Sequence, residues 1–406
     1  MLKGVLTLGQ QVSRVSSPQW FQITRHYSYG SVSSKIGKAD NNMIDIDFRS
    51  DTLTKPTDAM RQAMANAVVG DDVYHEDPTV KQLEEKSAKM IGMEAALFVP
   101  SGVMSNLIAV LTHCNTRGCE MITGDKSHMF LYEQTGVCQF GGVSINTVHN
   151  LPDGTFDLEE MQHHIRSRDL HEPTTALICV ENTHNKCGGR VLPLSWLNEL
   201  VEIGKKCNLP LHMDGARIYN ASIYLGVPAK RIVQGFSSVS ICLSKGLGAP
   251  VGSLLHGSRD FIERARRLRK ALGGGMRQCG VIAAAGIVAL DSMIERLAED
   301  HANGVALAKG IAALNHPYFK VDVKNMQTNI LVFNVDPSKV NTSEFCAKLQ
   351  ENTDDQLTAL GGKGVCVKAV PFGASLIRFV VNHHITPKMI ELALQKITLV
   401  VNEYKI

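Results

Sequence analysis

The chain has 406 residues, longer than a single domain usually runs, so a large domain with a smaller companion is expected. Hydrophobic residues make up 44% and charged residues 20%, which supports a packed core and excludes a largely disordered protein. A net charge of +3 leaves no nucleic-acid footprint, and ten scattered cysteines with no Cys-x-x-Cys pair exclude zinc-ligand spacing and a secreted disulfide framework.

From Met1 to Lys38 there is no acidic residue, while Lys3, Arg14, Arg25, Lys35 and Lys38 are spread among serines. That composition predicts a mitochondrial targeting segment over residues 1–40 and a matrix location, with an untargeted tail and a cytoplasmic protein as the alternative. Beyond residue 40, helical-period segments alternate with short apolar runs. Lys81 to Ile91 reads as a helix, Ala95 to Val99 as a strand, Ser105 to Leu111 as a helix and Ala176 to Val180 as a strand. Trp196 to Cys207 follows as a helix, with Leu209 to Met213 and Val239 to Leu243 as strands. Strands separated by helices predict an α/β large domain over residues 41–296, with a mostly parallel central sheet flanked by helices. One long helix from Val281 through Leu307 leads into a small C-terminal α+β domain over residues 297–406. Its strands are predicted at Asn329 to Val335 and Ser375 to Val380, and its helices at Thr342 to Gln350 and Pro387 to Val401. The apolar stretch Val281 to Leu290 is about half of what a bilayer span needs, so no membrane association is expected.

Two strand ends carry the chemistry. In Leu209 to Arg217 a short strand delivers Asp214 before Gly215 turns the chain, and in Ile241 to Gly248 a second strand delivers Ser244 and Lys245 before glycines. Ligands of open α/β sheets bind at such ends. A lysine for a Schiff base and a carboxylate for a pyridine nitrogen are what pyridoxal phosphate requires. An isolated Asp or Lys would be a helix cap or a surface residue; both together, each followed by glycines, point to the cofactor. Its phosphate needs backbone N–H groups at a helix start, which Ser101, Gly102 and Val103 can supply after the strand ending at Val99. His128 lies among aromatic residues, where an imidazole could stack on a pyridine face.

These residues resemble the L-threonine aldolases of low specificity, pyridoxal-phosphate enzymes of the aspartate-aminotransferase-like fold. The likeness runs from about Met43 to the C-terminus. It is carried by F-R-S-D-T-L-T-K-P at 48–56, G-D-D-V-Y at 70–74, E-N-T-H-N at 181–185, H-M-D-G-A-R at 212–217, S-K-G-L-G-A-P-V-G-S at 244–253 and G-G-G-M-R-Q at 273–278. The resemblance implies that Lys245 holds the cofactor, Asp214 pairs with its ring nitrogen and His128 stacks on it. It implies that Ser50, Arg217 and Arg378 bind the substrate carboxylate, which the planar guanidinium fork suits, with Tyr74 close by. His128, His171 or a water between them would take the β-hydroxyl proton. Arg277 would reach the cofactor site of a neighbouring subunit, in a homotetramer with active sites at its interfaces. The implied reaction is cleavage of L-threonine or L-allo-threonine to glycine and acetaldehyde. Another lyase or an aminotransferase on the same fold, or a catalytically silent homologue, is the competing possibility. No metal is implied. Two departures stand out: Val103 replaces a common Thr after the cradle glycine, and His75 replaces a common Gly, at a cost if that position needs positive φ.

Overall fold

The structure, a computed structural model, describes residues 43–167 and 169–405. The predicted targeting segment lies outside them. Thirteen strands occur among the described residues: β1 (Met43–Asp47), β2 (Ala95–Val99), β3 (Cys119–Gly124), β4 (Ser144–Val148), β5 (Thr174–Glu181), β6 (Leu211–Asp214), β7 (Ser238–Cys242), β8 (Ser253–Gly257), β9 (Phe319–Lys320), β10 (Ile330–Val335), β11 (Gly364–Lys368), β12 (Val370–Pro371) and β13 (Leu376–Val380). Seven of them form the central sheet in the order β2-β8-β7-β6-β5-β3-β4. The five strands from β7 to β4 run parallel, and β8 is antiparallel to both of its neighbours. Every residue of β3, β6, β7 and β8 is buried, as strands covered on both faces must be.

Local chemistry sets the helices around this sheet. After a first helix α1 (Asp58–Ala65), helix α2 (Pro78–Ile91) starts where Asp77 accepts hydrogen bonds from the backbone of Thr79 and Val80, with Pro78 in its first turn. It stops at Gly92, whose φ of 74° is the left-handed conformation that glycine tolerates. Helix α3 (Gly102–His113) follows β2 directly, capped by the Ser101 hydroxyl, and α4 (His128–Leu131) is one turn capped by Ser127. The single long helix predicted from Val281 is two helices, Gly280–Ser292 and Leu297–Ala313. The interruption comes from packing, since no glycine or proline lies between them: Leu290, Met293 and Leu297 all enter the same core on either side of the break.

A second core lies beyond the central sheet, around the four-stranded antiparallel sheet β12-β13-β10-β9 and the closing helix Pro387–Val401. The first described strand belongs to it. β1 pairs in parallel with β11, from Met43 opposite Gly364 to Asp47 opposite Lys368. Phe48 is fully buried and packs edge-on against Phe379, with ring centroids 5.3 Å apart. Burying such a ring is worth about 2–3 kcal/mol. It anchors the backbone two residues before Ser50 and three before Asp51, whose carboxylate meets Arg217 just past the end of β6.

Candidate active site

The carboxyl ends of β5, β6 and β7 meet the amino terminus of α3. Asp214 ends β6, is buried, and accepts from the backbone N–H of Ala216 at 3.0 Å and the side chain of Asn106 at 3.0 Å. Burial alone would raise its pKa, but His128, Lys245 and these donors hold it below the usual carboxylate range. Lys245 follows β7, and its backbone carbonyl accepts from the Thr54 hydroxyl at 2.9 Å. Its ammonium acts on Asp214, Asp51 and His128 together, so the predicted amine and carboxylate share one site. At Gly102 a β-carbon would stand 2.7 Å from Cys242 Sγ, so only glycine lets α3 begin this close to the end of β7. The N–H groups of Gly102 and Val103 lie in a first turn that has no intrahelical acceptors.

Arg217 is buried and bound along one edge by Asp51, with Nε donating to Oδ2 and Nη2 donating to Oδ1, both at 2.7 Å. Asp51, fully buried, was not singled out from the sequence. Burial pushes its pKa up, but Arg217, Lys245 and Arg378 outweigh that and hold it below the ordinary carboxylate value. Asn329 also donates to Asp51, at 3.5 Å, and is itself held by Val381 O and Asn220. Arg378, on β13, donates to Asn185 Oδ1 and Arg49 O, both at 3.1 Å, and its guanidinium carbon lies 4.9 Å from the Phe372 ring centroid. Lys186 Nζ lies 3.8 Å from the same centroid. Arg217 thus binds Asp51 directly, while Arg378, reaching in from β13, acts on Asp51 through its charge.

His128 opens α4. Its backbone N–H donates to Glu181 Oε2 at 2.6 Å, and its Nδ1 faces Glu133 Oε1 at 2.9 Å. Burial lowers its pKa, but the Glu133 bond and the charge of Asp214 win, leaving the imidazole more basic than usual. His128, Glu133 and Asp214 each present an atom able to bind a metal within 4.8 Å of one another, but the Asn106 amide already donates to both carboxylates.

Three predicted residues, His171, Tyr74 and Arg277, stand apart from this group within one chain. His171 is exposed before the start of β5, while Glu181 ends that strand near His128. Eight residues of strand at about 3.3 Å each put it roughly 23 Å or more away, at the opposite edge of the sheet. Tyr74 is 72% exposed, and Arg277 is held by Asp71 at 2.9 Å on a half-exposed side chain. Ser50 caps the turn Asp51–Leu53, accepting from Thr52 N at 3.2 Å, so its hydroxyl is engaged beside the clamp. His75 has φ 59° and ψ 37°, the left-handed conformation anticipated for its position.

A model of the beta-eliminating lyase family matches residues 47–336. Low-specificity L-threonine aldolase 1 of Arabidopsis thaliana is 46% identical over 346 residues, covering 85% of this chain and 93% of the relative. The low specificity L-threonine aldolase of Escherichia coli K12 is 47% identical over 290 residues, 71% of this chain and 84% of the relative. The chain belongs to the L-threonine aldolases of the beta-eliminating lyase family. The solved threonine aldolase of Leishmania major shares the fold, with a TM-score of 0.71 at 18% identity over 88% of this chain and 99% of that one. So does serine palmitoyltransferase from S. paucimobilis, solved with a bound PLP-myriocin aldimine, with a TM-score of 0.63 at 20% identity over 89% and 88%. The α/β fold expected of an aldolase of this family, with its mostly parallel central sheet, is the one observed.

The donor set fits pyridoxal phosphate. An amine and an ionised buried carboxylate share one site, a glycine opens a helix start beside them, and an imidazole lies within reach of that carboxylate's charge. Lys245 would hold the aldehyde carbon, Asp214 the ring nitrogen, Ser101, Gly102 and Val103 the phosphate, and His128 one ring face.

Proposed function

We propose that the protein cleaves L-threonine and L-allo-threonine between Cα and Cβ, giving glycine and acetaldehyde, with other β-hydroxy amino acids as further substrates. The observation that carries this is the buried Arg217–Asp51 pair, on which the charges of Lys245 and Arg378 also act. Two guanidinium charges set against one carboxylate leave a positive surplus suited to an amino acid's carboxylate. Pyridoxal phosphate bound at Lys245 supplies the electron sink that makes cleavage next to an amino-bearing carbon feasible.

The chain's part is orientation and proton handling. A carboxylate gripped by Arg217 and Arg378 cannot turn, so a single bond at Cα is presented for cleavage, and the clamp selects the one to Cβ. With Nδ1 held by Glu133, His128 Nε2 is the nitrogen available to take the β-hydroxyl proton, directly or through water. Family kinship supports a homotetramer in which Arg277 reaches a neighbouring subunit's site. The composition of residues 1–38 supports a mitochondrial matrix address, which fractionation of cells expressing the full chain tests.

The deciding assay measures aldehyde and glycine from both diastereomers with the full chain, using Lys245→Ala as control. Stoichiometric glycine and acetaldehyde from the wild type alone is the expected result. Ammonia and a keto acid would instead establish elimination, and equal rates from both proteins would remove Lys245 from the chemistry.

A further inference from the structure

We infer that Asn106 and Glu133 are positioning residues for this reaction. Together they fix the tautomer of His128 and the hydrogen bonds on Asp214, and a file of buried His212 and Ser238 with half-buried His113 fixes the orientation of the Asn106 amide. The inference rests on the aldolase reading above and deepens it.

Asn106 lies in the second turn of α3 and is buried. Its Nδ2 donates to Glu133 Oε1 at 2.8 Å and to Asp214 Oδ2 at 3.0 Å. Ionised carboxylates only accept, so the amide nitrogen must face them; the reversed amide would gather three oxygens with no proton between them. Asn106 Oδ1 then faces His212 Nε2 at 3.2 Å, and since an amide oxygen only accepts, Nε2 carries the hydrogen. Burial keeps His212 neutral, its pKa pushed down to about 4, so Nδ1 is an acceptor and takes the Ser238 hydroxyl hydrogen at 2.8 Å. The hydroxyl oxygen then accepts from His113 Nε2, also at 2.8 Å, and His113 is held neutral by burial, its pKa pushed down to about 3. Every proton in the file is assigned, and every donor points the same way, from His113 toward the two carboxylates. Hydrogen bonds aligned in series polarise one another, so the last donor, the Asn106 amide, is strengthened where it meets Asp214 and Glu133.

The two carboxylates then divide their work. Asp214 receives Asn106 and the Ala216 N–H, while Glu133 shares Oε1 between Asn106 and His128 Nδ1. With hydrogen on Nδ1, neutral His128 keeps its lone pair on Nε2. The charged and titratable groups facing this cluster are Lys245, Glu181 at the His128 backbone, Cys179 behind both carboxylates, and His212. Burial raises Glu133 while Asp214 is held low, so an incoming proton settles on the His128–Glu133 pair before it reaches Asp214.

The test uses Glu133→Gln and Asn106→Asp in the full chain with pyridoxal phosphate bound, reading the visible cofactor band against pH and the pH profiles of kcat and KM for L-threonine. In Glu133→Gln the new amide oxygen can still accept from Asn106, but the side chain brings no charge to His128. This variant is expected to keep the cofactor and a KM near wild type, to lose on the order of tenfold to a hundredfold in kcat, and to move the acid limb of the kcat profile to lower pH as His128 becomes less basic. Asn106→Asp places a third carboxylate against Asp214, so its cofactor band should titrate at a different pH and the cofactor should be held less tightly. A Glu133→Gln profile superimposable on wild type overturns the inference even if Asn106→Asp fails to fold. An unchanged absorbance titration in folded Asn106→Asp overturns it as well. A wild-type protein with no cofactor band would bring down the aldolase reading itself, whereas a normal wild-type band with unaltered variants defeats the positioning role alone.

Discussion

Replacing Asp51 by Asn changes one oxygen to an NH2 group and strands a buried guanidinium. Arg217 now donates twice to Asp51 at 2.7 Å, with both side chains out of solvent. In the variant one of those donors meets another donor, and the positive charge of Arg217 loses its counter-charge in a site that also holds Lys245 and Arg378. Breaking a buried pair by removing one partner costs about 3–5 kcal/mol, and that is the expected loss in equilibrium urea unfolding at pH 7. Because the folded Asp51 pKa lies below its unfolded value of about 3.9, its contribution is complete above that pH and disappears as pH falls through the folded pKa. The difference between wild type and Asp51→Asn should therefore stay constant from pH 7 to about 5 and narrow only in stronger acid. Turnover should drop as well, since Arg217 loses the anchored edge that aims its free one. A variant with wild-type stability at pH 7, or a gap that widens in acid, would refute the ion pair's role.

Three further outcomes are expected. His75→Gly should raise the unfolding midpoint, because φ of 59° costs a side-chain-bearing residue about 1 kcal/mol more than glycine; a lower midpoint would show that the His75 side chain contributes more than its backbone costs. Gly102→Ala should reduce the cofactor retained after gel filtration, since its β-carbon would sit 2.7 Å from Cys242 Sγ and push the helix start off the strand end; undiminished stoichiometry would argue against that cradle. Co-expressing His171→Ala with Lys245→Ala chains should restore aldehyde release above either variant alone, because His171 lies ahead of β5, at the end of that strand away from His128; no restoration would exclude a role across subunits.

The sequence makes Asp214, Lys245 and Gly102 legible because each owes its place to a short local pattern: a buried strand, a turn, a glycine. The partners that give those groups their properties are written across long separations. Asp51 meets Arg217 across 166 positions, and Asn106 meets Asp214 across 108. Asp51 lies in a motif visible in the sequence and Asn106 in an expected helix, but a lone Asp in R-S-D-T and a lone Asn in an apolar helix carry no sign of burial or partner. Glu133 is legible only in part: it follows His128 by five residues in the stretch that drew attention to the histidine, yet the spacing does not say that the two side chains meet. The interruption between Ser292 and Leu297 is invisible for another reason, since it serves the core and leaves no glycine or proline behind. His171 is the converse case: resemblance supplies a role for it, while its place ahead of β5 sets it at the end of that strand away from His128.

The parallel pairing of β1 with β11 joins Asp45 to Lys368, 323 residues further on. A ribosome releases the second partner long after the first, at about 5–20 residues per second, so the leading strand waits tens of seconds for its mate. Until then the loop carrying Asp51 has no fixed position, and a prematurely terminated product would possess Lys245 and Asp214 yet lack a finished pocket. The strand leading into Asp51 thus finds its mate only after Lys245 and Asp214 have long been made.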